Sequence, residues 1–211
     1  MKGQNLKRWL LQPFELMFHP VDRTDTWKRH TTYSLPVALL VVLFWFVSAV
    51  ADYQLTGRNF NFNQPGTLNL FLVSVRTVAV YFIFVVANWS VTTLLEGKGT
   101  FPQIMVFTGY AMLPMVLSSF AATLLSHWMV QDESVFRSWV IWLGIIWTGA
   151  ILLASLMTLH EYSFGKLLRS LLLTAFAMLV IVFLLVLFFS LIQQVTSFVS
   201  TAYNELYFRY A

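Results

Sequence analysis

Apolar residues in this chain run in long charge-free stretches separated by short polar joints, and that pattern sets the elements. Uncharged runs extend for 21 residues between His30 and Asp52, 19 between Arg76 and Glu96, 28 between Lys98 and His127, 22 between Arg137 and His160, and 35 between Arg169 and Glu205. About 20 residues of helix cross the hydrocarbon core of a bilayer, so each run supplies one span and the last has a surplus. The spans are predicted at 34–52, 72–95, 103–126, 137–159 and 168–193. The expected fold class is therefore all-α, a polytopic membrane bundle with five transmembrane helices.

The flanks follow a helical period. Leu6, Trp9, Leu10, Phe14 and Met17 recur at helical spacing beside Lys2, Lys7 and Arg8, which predicts a short interfacial amphipathic helix within a basic cytoplasmic segment, 1–33. Pro13 is expected to bend it and Pro20 to end it. The surplus at 194–211 keeps Val195, Phe198, Val199, Ala202 and Leu206 at helical spacing with Asn204, Glu205 and Arg209, and reads as an amphipathic tail at the opposite interface. Pro65-Gly66 marks a turn in the longest loop. Ala49-Val50-Ala51 resembles a signal cleavage site, but the preceding polar region and apolar run are both too long for a leader.

Composition agrees. The chain is 58% hydrophobic and 10% charged, with mean hydropathy +0.72, whereas soluble domains carry roughly 25% charge. Lipid must be its solvent, and the bilayer is its first partner. Cysteine is absent, which excludes disulfides, thiolate zinc sites and a cysteine nucleophile. The net charge of +4 bears on orientation rather than on nucleic acid. With the N-terminus inside, nine Lys and Arg lie on the inner segments against Arg58, Arg137 and Arg209 outside. That bias places the N-terminus in the cytoplasm of a cell-membrane protein and the C-terminus beyond it. Arg76 is expected at the outer edge of the second span, within snorkelling reach of the interface.

Within the spans, small and polar residues share helix faces. Gly144, Thr148, Ser155 and Thr158 line one face of the fourth span, which is expected to be central. Tyr110 and Pro114 share a face of the third, where Pro114 removes a bond to the Tyr110 carbonyl and kinks the helix. Asn88 on the second span is expected to bond across helices. All are read as packing residues. No acidic residue lies deep in a predicted span, which argues against a proton-coupled transporter.

Titratable groups gather on the inner side. His19, Asp22, His160 and Glu161 would have to converge from separate segments to hold a metal, and no HExxH-type spacing supports that. Gly97-Lys98-Gly99-Thr100 lacks the spacing of a phosphate loop. No catalytic, cofactor-binding or metal residues are assigned, and no cofactor is expected. Thr93-Leu94-Leu95-Glu96 and Thr158-Leu159-His160-Glu161 echo one another at the ends of the second and fourth spans. Asp22, Glu96, Lys98, His160 and Glu161 form a candidate docking rim, with Trp9, Phe14 and Trp89 as candidate aromatic anchors.

Four segments carry a family resemblance: His19-Pro20-Val21-Asp22, the run from Asn88-Trp89 through Glu96-Gly97-Lys98-Gly99-Thr100-Phe101, Gly109-Tyr110-Ala111-Met112-Leu113-Pro114, and Met157-Thr158-Leu159-His160-Glu161-Tyr162-Ser163. In these the chain resembles the Yip (Ypt-interacting protein) family, most closely its bacterial branch. The resemblance implies five spans and a cytoplasmic N-terminus. Eukaryotic members look like adaptors for Rab-type GTPases, and bacterial relatives are often encoded beside carbohydrate uptake transporters. The long cytosolic N-terminal domain of many eukaryotic members is not matched here, which points away from a Rab-binding role. The leading expectation is a non-enzymatic membrane adaptor or accessory protein with a membrane or cytoplasmic protein partner. A small transporter or channel component comes second, and a membrane-embedded metal-dependent enzyme third.

Overall fold

The computed structural model describes residues 2–63 and 66–210, with side chains described at 8–63, 66–203 and 205. Pro65 of the predicted turn, and the side chains of Lys2, Leu6, Lys7, Asn204, Leu206 and Arg209, lie outside that description. The described chain is all-α. It forms α1 (Lys2–Phe18), α2 (Pro20–His30), α3 (Leu35–Leu55), α4 (Leu70–Ser74), α5 (Val80–Leu94), α6 (Phe101–Ala111), α7 (Leu113–Leu125), α8 (Ser134–His160) and α9 (Phe164–Tyr210). A π-helical turn, Val75–Ala79, joins α4 to α5, and a 3-10 turn, Gln131–Glu133, precedes α8. Five helical units are long and apolar enough to cross a membrane: Leu35–Leu55, Leu70–Leu94, Phe101–Leu125, Gln131–His160 and Phe164–Tyr203. The protein is a multi-pass membrane protein.

Local chemistry explains the differences from the predicted elements. The N-terminal segment holds two helices, not one. Pro20 ends α1 and also occupies the first turn of α2, where its missing N–H is harmless. Asp22 in that first turn and Lys28, Arg29 and His30 in the last match the helix dipole of α2. Pro13 lies within α1, which continues through it. The second span begins at Leu70 because the Asn69 side chain accepts the Leu72 N–H at 3.2 Å and caps it. Arg76 therefore sits inside the π-helical turn, about 9 Å along the helix from Leu70 rather than at its edge. Fifth span and tail form one continuous helix of 47 residues, about 70 Å long.

The third span, not the fourth, is the centre. Its apolar window is 56% buried, against 28% for the first, second and fourth and 6% for the fifth. It breaks at Met112, whose N–H turns back to the Gly109 carbonyl at 3.2 Å, just ahead of Pro114. α6 packs on α3, α5 and α8, and α7 packs on α3 and α8. The broken helix leaves the Met115 N–H without an intrahelical acceptor, and the Thr148 hydroxyl of α8 takes it at 3.1 Å. A neighbouring helix thus caps α7 from the side. One turn away, the Gly144 backbone lies so close to Ser118 that a Cβ there would stand 1.8 Å from its Oγ. Ser155 is fully buried on the same face, and Thr158 is half-buried and donates to the Ala154 carbonyl at 2.9 Å.

Candidate functional site

At one end of the bundle the helices meet in two short turns, α5–α6 and α8–α9, with α2 packed beside them on α8. Both turns close in the same way. The Gly97 N–H reaches the Thr92 carbonyl at 2.7 Å, and the Tyr162 N–H reaches the Met157 carbonyl at 3.0 Å. Each is the six-to-one bond of a Schellman cap, and each needs a left-handed residue just after the helix. That residue is Glu96 in one turn and Glu161 in the other, both at φ 56°. The sequence echo between 93–96 and 158–161 is thus a shared cap geometry. Glycine is the usual occupant, and a residue with a Cβ costs about 1–2 kcal/mol there.

Three contacts tie the turns together. Glu161 accepts from Lys28 of α2 at 2.9 Å and from Lys98 of the other turn. Hydrogen bonds from these two lysines hold the Glu161 carboxyl at about 2, well below its ordinary 4.5. His160 is buried, and its Nδ1 accepts the Gly99 N–H at 3.3 Å while its ring stacks on Tyr162 at 5.3 Å. The Tyr162 hydroxyl donates to the Leu95 carbonyl at 3.1 Å, satisfying an orphan acceptor at the end of α5. Burial, then the charge of Glu96, pushes the Tyr162 hydroxyl upward. The Lys166 ammonium stands 4.5 Å over the Tyr162 ring. Gly97 and Gly99 are required by this proximity, because a Cβ on either would come within 2.8 Å of the His160 ring.

A second polar knot lies deeper. The Tyr110 hydroxyl is 2.7 Å from Gln12 Oε1 and 2.9 Å from the Ser34 carbonyl, and it accepts the Ser34 N–H at 3.0 Å. Gln12 Nε2 donates to the Thr32 carbonyl at 2.6 Å. Trp27 of α2 packs edge-on to Tyr110 and stacks on Phe107. The Gly109–Pro114 element therefore has three separate uses. Gly109 lets α6 approach Ala38 of α3, Tyr110 ties α1 to the start of α3, and Pro114 marks the break.

Of the proposed rim, Lys98, His160 and Glu161 come together, with Lys28 and Tyr162 added. Glu96 and Asp22 are exposed and, among the described residues, enter no ion pair. Lys28 was legible in principle, since Pro20, Asp22 and the basic run 28–30 together spell a helix. Trp89 packs edge-on to Phe101 at 5.6 Å, while Trp9 and Phe14 lie exposed on α1, away from the two turns. No group of three or more His, Cys, Asp or Glu suited to a metal occurs among the described residues, so His19, Asp22, His160 and Glu161 do not converge. Asn88 does reach across helices, donating to the Thr174 hydroxyl of α9 at 3.2 Å. At the opposite end of the bundle Asp52 pairs with Arg137 at 2.5 Å, a tie between the first and fourth spans not foreseen from sequence.

A family model described as the Yip1 domain matches residues 14–201. No curated protein and no solved structure matches the chain.

Proposed function

The chain belongs to the Yip1 domain family, and from that premise we propose that it is a non-enzymatic adaptor of the cell membrane whose partner docks on the rim formed by α2 and the two inner turns. One observation carries this reading: two glutamates occupy left-handed caps where glycine would be less strained. Backbone strain of this kind persists where function uses the side chain. Glu161 spends its carboxylate inside the molecule, on Lys28 and Lys98, and holds the rim in shape. Glu96 is exposed and, among the described residues, enters no ion pair. Exposed charges of this kind steer encounter and fix register. The nine-to-three distribution of basic residues supports a cytoplasmic position for the rim. The partner is a membrane or cytoplasmic protein, of which a subunit of an uptake transporter is one class. The filled centre supports an adaptor over a conducting path, since Tyr81, Ile104, Phe107, Tyr110, Leu156 and Leu159 are buried together.

The test is affinity capture from native membranes in mild detergent with wild type, Glu96→Gln and Glu161→Gln, each checked for melting. Glu96→Gln should lose the co-purifying protein with unchanged melting. Glu161→Gln should lower both. Full capture by Glu96→Gln would end the docking reading.

A further inference from the structure

Arg76 stands inside the second span without an ion-pair partner among the described residues. It lies in the π-helical turn Val75–Ala79, and such turns within α-helices frequently mark functional positions. Arg76 is exposed, and so are the apolar side chains of Leu72, Val75 and Val80 around it, which puts it on the face this span turns to lipid. Thr77, the next residue, is buried and donates to the Val73 carbonyl at 2.8 Å, which anchors the turn on the bundle side. Asp52, at the same end of the bundle, is committed to Arg137.

The depth of this charge follows from the length of the span. Leu70–Leu94 has 25 residues, about 37 Å of helix, against a hydrocarbon core of about 30 Å. Sharing the excess between the two ends leaves the Arg76 Cα about 5 Å inside the hydrocarbon. An unpaired guanidinium at that depth is costly. Helical side chains lean toward the N-terminus of their helix, and the N-terminal end of this span, Leu70, is also its nearer membrane surface. The stem of Arg76 therefore leads toward the phosphate layer above it. We propose that Arg76 holds the phosphate of one phospholipid from the leaflet at the Leu70 end, with the acyl chains against Leu72, Val75 and Val80. The planar guanidinium matches two phosphate oxygens at once, and the low dielectric beside hydrocarbon strengthens the pair. Asn69, exposed nearer that surface, spends its Oδ1 on the Leu72 N–H and keeps its amide N–H groups for the headgroup. A free anion is not drawn to the same place, because it would leave water with no acyl chains to carry it there.

The experiment uses the full chain purified in maltoside detergent and relipidated in mixed micelles. Dioleoyl phosphatidylglycerol is compared with dioleoyl monogalactosyl glycerol, which has no phosphate, by native mass spectrometry and by melting. One phosphatidylglycerol should be retained per chain, with affinity about fivefold above the glycolipid, as expected for one basic group against an anionic headgroup. Arg76→Leu should remove that preference while its lipid-free melting temperature holds or rises, since an exposed, unpaired charge is lost. Arg76→Gln serves the same purpose should that variant not fold, and Arg76→Lys should keep most of the preference. Inorganic phosphate added to the lipid-free protein should leave melting unchanged. Equal retention of both lipids by wild type, undiminished phosphatidylglycerol retention by a folded Arg76→Leu or Arg76→Gln, or a melting shift from inorganic phosphate as large as that from the phospholipid would overturn the proposal.

Discussion

Replacing Gly144 with alanine adds one methyl group where α8 crosses α7, and the structure fixes what it would meet. The new Cβ would lie 1.8 Å from Ser118 Oγ, 2.5 Å from Ser118 Cβ and 3.2 Å from the Pro114 carbonyl oxygen. Rotating the Ser118 hydroxyl away relieves only the first contact, because its Cβ is fixed to the backbone of α7. The helices must separate, and separation strains the Thr148 hydroxyl that caps Met115. Overpacking of this kind costs about 1–3 kcal/mol, and alanine returns roughly 1 kcal/mol through helix propensity. The expected net loss is therefore about 0–2 kcal/mol, and the loss relative to an unobstructed glycine-to-alanine change is the full amount of about 1–3 kcal/mol. Gly149, five residues along the same helix, is the internal control, since nothing lies within 4 Å of its added Cβ. Gly149→Ala should be neutral or slightly stabilising. Thermal unfolding in detergent reads both. Adding Ser118→Gly to Gly144→Ala should recover most of the loss, measured against Ser118→Gly alone as a double-mutant cycle. Equal melting of Gly144→Ala and Gly149→Ala, or a cycle without coupling, would refute the close-crossing account.

Tyr110→Phe keeps the ring packing on Trp27 but strands the buried Ser34 N–H, and should cost about 1–3 kcal/mol by the same melting assay. Acid should weaken the Glu161 links. Its folded carboxyl lies below its ordinary value, so its contribution is present above about 4.5 and is lost as pH falls toward about 2. The melting difference between wild type and Glu161→Gln should shrink over that window, and a constant difference would contradict the assignment. For orientation, single cysteines at Lys98 and Lys166 should be shielded from an impermeant thiol reagent in intact cells, and those at Asn61 and Asp132 labelled. The absence of native cysteine gives a clean background.

Hydrophobic pattern reveals what lipid demands and little else. The five spans were legible because charge is excluded from hydrocarbon, and the packing face of α8 because only small residues permit a close crossing. The centre was not legible. The third span looks no more apolar than its neighbours, and its burial comes from α1, α3, α5 and α8 meeting around it. α2 escaped because its pattern is mostly polar, with Thr24 and Trp27 its only buried residues, and because Pro20 reads as a stop before it reads as a start. The α5–α6 and α8–α9 turns were half legible. Their glutamates stood out as charges, but the left-handed caps, the approach of Gly97 to His160 and the partnership of Glu161 with Lys28 across 133 residues depend on tertiary placement. Asp52 and Arg137 each mark the end of an apolar run in the sequence, which says nothing of a pairing between them. Only the juxtaposition of two helix ends, of α3 and α8, makes them a pair.

The docking claim is tested most directly by placing a photoreactive amino acid at Glu96 in native membranes, with Gln131 at the opposite rim as reference. A discrete adduct of one mass from position 96, absent from position 131, is the predicted result. Adducts shared equally by the two rims, or none from position 96, would contradict it.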